Sequence, residues 1–156
     1  MKKWALLLSF LLLLGLCAAC GKAEVPETNW EPGWNIAEES DRKFTDALIL
    51  TLIEVDLEAN RVTYQIQNVS ETVYGYGTSS DFKLEIFHKG AWCKMRHEPG
   101  WDMTAEMYIL NPGETKEYTT SLIDTLPAGT YRFIKEISVD EGFWKGEFIS
   151  CEFTVE

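Results

Sequence analysis

Two histidines, four cysteines and five prolines are all that this 156-residue chain holds of those residues, and its 14 bases face 25 acids. Each shortage excludes something. With only His88 and His97, and no Gly-x-Ser-x-Gly, phosphate-binding loop or zinc-protease helix, the common hydrolytic constellations are missing. His88, Cys93, His97 and Glu98 are the one local group of metal-ligating types, and their spacing fits no closed zinc pattern. A calcium loop of alternating Asp and Asn is absent too, so no metal or other cofactor is expected. Carboxylate pairs such as Asp140 and Glu141 are as common as 25 acids require, and they read as a solvated face. The shortage of bases excludes nucleic acid, because binding to phosphate rests on Lys and Arg releasing counterions.

What the chain does have begins at its start. Lys2 and Lys3 precede the apolar run from Trp4 to Leu16, and small residues follow at Ala18, Ala19 and Gly21. This is the layout of a signal peptide over residues 1–19, with a run too short to cross a bilayer comfortably, which takes about 20 apolar residues. Cys17-Ala18-Ala19-Cys20-Gly21 resembles a lipobox, although Cys17 stands where that pattern prefers an aliphatic residue. The resemblance makes Cys20 the lipidated residue of the mature chain, carrying palmitate-type acyl chains. Two such chains suffice for stable anchoring. Ordinary secretion after Ala19, with Cys20 free, is the alternative. Cleavage removes two lysines and no acids, leaving 12 bases against 25 acids.

Residues 20–45 are charged, hold Pro26 and Pro32, and lack periodicity, so they read as an acidic flexible tether. Trp30 and Trp34 are the residues in it suited to dock on a domain. From residue 46 to 156 strand signals recur and helix signals do not. The expected strands are 47–57, 61–69, 81–88, 91–95, 106–110, 114–122, 130–139 and 146–156. Val62, Tyr64 and Ile66 alternate with Arg61, Thr63, Gln65 and Gln67, as in a half-buried antiparallel strand. In the last strand Ile149, Cys151, Phe153 and Val155 form the inward set. Lys89-Gly90 is a hairpin link, and Asn111-Pro112-Gly113 another tight turn. Seven or eight short strands in one domain predict an all-β, antiparallel sandwich. Glu-Pro-Gly-Trp occurs twice, at 31–34 and 98–101, too briefly to mark a duplication.

The pieces VTYQIQNVSETVYGYG (62–77), DFKLEIFHKGAWCKM (81–95), ILNPGETKEYTTSL (109–122) and LPAGTYRFIKEI (126–137) resemble a bacterial immunoglobulin-like domain of Gram-positive lipoproteins. The resemblance implies an immunoglobulin-like sandwich and no catalytic residues. In Leu126-Pro127-Ala128-Gly129-Thr130-Tyr131-Arg132, Pro127 and Gly129 turn the chain between sheets. Tyr131 then packs inward with its hydroxyl on backbone, as in a tyrosine corner. In an immunoglobulin-like order strand 91–95 is an edge beside 81–88, followed by 130–139 and 146–156. Three strand spacings, each about 4.8 Å, then part Cys93 from Cys151. A bond between them requires a strand that switches sheets; otherwise Cys151 is a small buried apolar residue.

Aromatic residues give the one functional lead. Tyr74 and Tyr76 read as a link between the second and third strands, Phe143 and Trp144 as the link between the last two, with Trp101 nearby. These five are the candidate ligand-binding residues, or else they plug the end of the core. The expected function is that of a non-enzymatic, lipid-anchored module on the extracytoplasmic face of the cell membrane. Its partners are the membrane, through Cys20, and an envelope protein or glycan that it binds or scaffolds. A purely structural spacer and a glycan- or wall-active enzyme are the alternatives.

Overall fold

A computed structural model describes residues 33–100, 106–139 and 147–156. All regular structure in them is strand: β1 (Gly33–Glu39), β2 (Lys43–Phe44), β3 (Leu48–Asp56), β4 (Arg61–Asn68), β5 (Tyr74–Gly77), β6 (Lys83–His88), β7 (Ala91–Glu98), β8 (Met107–Leu110), β9 (Thr115–Ser121), β10 (Gly129–Val139) and β11 (Glu147–Val155). They form a β-sandwich. The large sheet runs β1-β7-β6-β10-β11-β2, with β5 on β10 and β8 on β5; the small sheet runs β3-β4-β9.

The core follows from alternation. Val62, Tyr64, Ile66 and Asn68 of β4 are buried, and they face Tyr131, Phe133 and Ile137 of β10 and Leu84 of β6 across the sandwich. Tyr64 and Phe133 meet at a centroid distance of 4.9 Å, and Phe82 stacks on Phe133 at 4.9 Å. Ile149 and Val155 are buried, with Cys151 and Phe153 packed beside them, so the inward set of β11 is as the alternation gives it. The Tyr131 hydroxyl donates to the carbonyl of Pro127 at 2.6 Å, closing the tyrosine corner.

Turn chemistry is legible in the same way. Lys89 and Gly90 both take positive φ, 51° and 90°, which makes the β6–β7 link a type I′ turn matched to strand twist. At Asn111–Glu114, Pro112 precedes Gly113 at φ 75°, and the Glu114 amide donates to the Asn111 carbonyl, as in a type II turn. This turn carries the chain from the large sheet to the small one.

Four expectations need correction. Residues 33–45 are not tether: β1 pairs antiparallel with β7 from Gly33–Glu98 to Glu39–Cys93, and β2 pairs with β11. For the same reason β7 is not an edge, since β1 covers it. Tyr74 and Tyr76 do not lie in a link; they form β5, held between β10 and β8. Strands β1, β2 and β5 raise the count past eight because their short or polar sequences carry little alternation. The pairing left open for Cys93 and Cys151 is not made: both are free thiols, on β7 and β11 of one sheet, with β6 and β10 between them. Burial raises the Cys151 thiol to about 12.

Candidate functional site

β6 and β7 pair only from Glu85–Lys94 to His88–Ala91. Beyond that point β7 continues against β1, and β6 continues against β10. Between the parting strands opens a cleft of about 340 Å³. Trp34, Phe82, Leu84 and Met95 give it apolar walls, and Arg96, His97 and Glu98 supply polar lining. Each arrives there for a local reason. Trp34, Met95 and His97 share one face of β1 and β7 because the register sets Trp34 opposite His97 and Ile36 opposite Met95.

Trp34 and His97 are fixed from several sides. The Trp34 indole Nε1 donates to the carbonyl of Leu122 at 3.0 Å, and its ring meets the His97 imidazole edge-on at 5.2 Å. His97 Nδ1 lies 2.8 Å from the Pro99 carbonyl oxygen; a carbonyl can only accept, so Nδ1 carries the hydrogen. Its Nε2 is 3.9 Å from Asp124 Oδ2. Gly33 admits this approach: it takes φ +101°, and a Cβ there would stand 3.0 Å from Asp124 Oδ2. The docking expected of Trp34 is thus observed. The cleft offers apolar contact and a few hydrogen-bonding groups. Among the described residues no three His, Cys, Asp or Glu side chains gather as a metal site would require.

The sequence-derived site residues divide. Tyr76 is fully buried and Tyr74 nearly so. The Tyr76 hydroxyl lies 2.6 Å from that of Tyr118, which stacks at 5.9 Å on Tyr108, so Tyr76 belongs to a tyrosine cluster joining the two sheets. Burial raises the Tyr76 phenol far above its ordinary range. Trp101, Phe143 and Trp144 lie outside the described residues, as does Cys20. Their flanks are described. β7 and β10 both run antiparallel to β6, so they point the same way and their ends, Glu98 and Val139, lie at one end of the large sheet, where the cleft opens.

Two buried charges escaped the sequence reading. Lys135 of β10 is fully buried, and its ammonium donates to the carbonyls of Gly77 at 3.4 Å, Thr78 at 2.5 Å and Asp81. β5 and β6 lie end to end along one edge of β10, and residues 78–82 interrupt them. The break leaves carbonyls without ladder partners, and Lys135 supplies them. Burial lowers its pKa to about 8, despite the opposing charge of Asp81. The signal was present: Tyr131, Phe133, Lys135 and Ile137 alternate inward, so Lys135 stands in a core position. Glu85, also fully buried, stands on the opposite face of the sheet under residues 40–42. It accepts from Ser40 Oγ and, at 2.6 Å, from Arg42 Nη1, with Arg132 Nη1 at 3.9 Å. No local pattern marks it, because the strap that covers it comes from 40 residues away.

The sequence model of a family described as bacterial Ig-like domain matches residues 47–151. No curated protein matches the chain. Among solved structures, the crystal structure of the ApaA protein from Bordetella pertussis is 16% identical, covering 81% of this chain and 91% of that one at a TM-score of 0.34. A likeness of that size carries no argument about fold or function.

Proposed function

Because the chain belongs to the bacterial Ig-like domain family, we propose that it is a non-catalytic module that binds an envelope protein or glycan, held at the extracytoplasmic face of a membrane by lipid on Cys20. The observation that supports binding is the cleft between β6 and β7. It is concave, walled by Trp34, Phe82, Leu84 and Met95, and placed where β7 and β10 hand the chain to the segments bearing Trp101, Phe143 and Trp144. A preformed apolar hollow lined by the rings of Trp34 and Phe82 provides contact area at low entropic cost. Anchoring draws its support from the signal-like start and the Cys20 motif.

Two measurements test the two halves. Labelled palmitate is expected to enter the wild-type chain in cells and to be lost in Cys20→Ser; label in neither ends the anchoring reading. Cosedimentation with purified envelope glycan or crosslinking to envelope protein is expected for wild type and not for Trp144→Ala, with the melting temperature unchanged. Equal capture by both proteins ends the assignment of binding to these aromatics.

A further inference from the structure

The two walls of the cleft are held in different ways. Phe82, Lys83 and Leu84 form one wall, and the core fixes it. Leu84 and Lys83 pair with Phe133 and Ile134 of β10, and Phe82 stacks on Phe133 at 4.9 Å. Trp34 and residues 95–98 supply the other wall, five of the nine lining residues among those described. Beyond Lys94, β7 has parted from β6, and its ladder there is with residues 33–36 of β1. Each of these two segments is extended because the other lies beside it.

A hinge stands where this pair joins the fold. Ile36 faces Met95 and Glu39 faces Cys93, so three steps along β1 match two along β7, as in a β-bulge. Past the bulge the strap is fastened to the core. The Ser40 amide donates to the Trp92 carbonyl at 2.8 Å, Arg42 Nη1 to buried Glu85 at 2.6 Å, and the Thr45 amide to the Phe148 carbonyl at 2.9 Å.

Before the bulge, the pair docks on a single loop. Trp34 Nε1 donates to the Leu122 carbonyl at 3.0 Å, and His97 Nε2 lies 3.9 Å from Asp124 Oδ2. Between those two receiving residues Ile123 takes φ 73°, a left-handed conformation that strains a β-branched side chain. The docking loop thus holds strain where the wall must attach, which weakens its grip on the closed arrangement.

We infer that residues 33–36 and 95–98 form a flap that opens and closes as one unit about the bulge, and that the cleft exists only while the flap is shut. Its use rests on the binding proposed above: a group held in the cleft keeps the flap closed, and by linkage a closed flap holds that group more tightly. Native-state hydrogen exchange at rising urea, on the chain from residue 20 onward with nothing bound, tests the flap itself. The protected amides of residues 33–36 and 95–98 are expected to share one opening free energy, well below that of β4 and β10. Trp34→Ala is expected to speed exchange in both segments about tenfold or more and to leave β4 and β10 unchanged. Residues 95–98 staying protected while 33–36 exchange, or both segments exchanging only together with β4 and β10, overturns the inference. The wild-type profile alone decides between these outcomes, whether or not Trp34→Ala folds. Because nothing is bound, the result is also independent of the glycan and crosslinking experiments, whose failure would end the binding reading and leave the flap standing.

Discussion

The ammonium of Lys135 stands 2.5 Å from the carbonyl oxygen of Thr78, beside a core built mainly of aromatic and aliphatic side chains. One cation thereby closes the gap between two strands that would otherwise be one. Lys135→Met is expected to remove the ammonium from the carbonyls of Gly77, Thr78 and Asp81, of which Thr78 keeps the Asp81 amide, and to cost about 3 kcal/mol of unfolding free energy. The pH dependence has a definite sign. The folded pKa of about 8 lies below the ordinary 10.5, so between those values the unfolded chain holds a proton that the folded one has shed. Unfolding takes up that proton, and the lysine's contribution to stability rises with pH across that window. Urea unfolding at pH 7.5 and pH 9.5 should show wild type gaining on Lys135→Met; a constant difference would show that the pKa is not depressed.

The N-terminal strap makes a second prediction. Residues 33–46 lie before the span matched by the family model, yet they cover the β7 edge, place Trp34 on Leu122 and pair Arg42 with buried Glu85. A chain beginning at residue 47 would expose an edge strand and leave Glu85 without its partners at Ser40 and Arg42. Its melting temperature is expected to fall by about 10 °C or more against a chain beginning at 33. Calorimetry of the two checks this, and equal midpoints would mean that the strap is decoration.

Tyr131→Phe removes one hydroxyl and keeps the ring stacked at 5.4 Å on Phe153. It should cost about 1 kcal/mol, the net worth of the bond to Pro127 plus its unpaired carbonyl. Tyr131→Ala should cost about 4 kcal/mol, since the packing goes too. Denaturant midpoints for the two variants separate the hydroxyl from the ring.

Tyr76 is the sharpest test of the aromatic site. As a fully buried member of the tyrosine cluster, it should lose about 4 kcal/mol on replacement by Ala. Any loss of ligand capture in that variant would then track unfolding. Tyr76→Phe keeps the ring and removes the bond to Tyr118; it is expected to lower stability by about 1 kcal/mol and to leave capture unchanged. Reduced capture by a folded Tyr76→Phe would return Tyr76 to the binding surface.

Gly77 gives a local check on the same break in the strand. A Cβ at this position would fall 2.0 Å from Asp81 Oδ2, with the Asp81 Cβ at 2.8 Å. Gly77→Ala must push residues 78–82 off the Lys135 ammonium and is expected to cost about 2 kcal/mol. Hydrogen exchange should show the loss concentrated at the β5–β6 junction.

β4 and β11 were the most legible strands because each has an apolar face with a period of two, and a pleated backbone turns that period directly into one buried side. The turns at Lys89-Gly90 and Pro112-Gly113 were legible because their φ values suit few other residues. Tyr131 was legible because a proline and a glycine four and two residues before it fix where its hydroxyl must land. These are short-range statements, and local sterics decide them. Contacts between distant segments were decided by the tertiary structure. Trp34 meets Leu122, Ser40 and Arg42 meet Glu85, and Tyr76 meets Tyr118 across separations of 42 to 88 residues. Nothing in β1 or β5 alone tells a strand from a loop. Pairing with β7 or β10 supplies the hydrogen bonds that make each segment extended, and those partners are chosen only when the two sheets close.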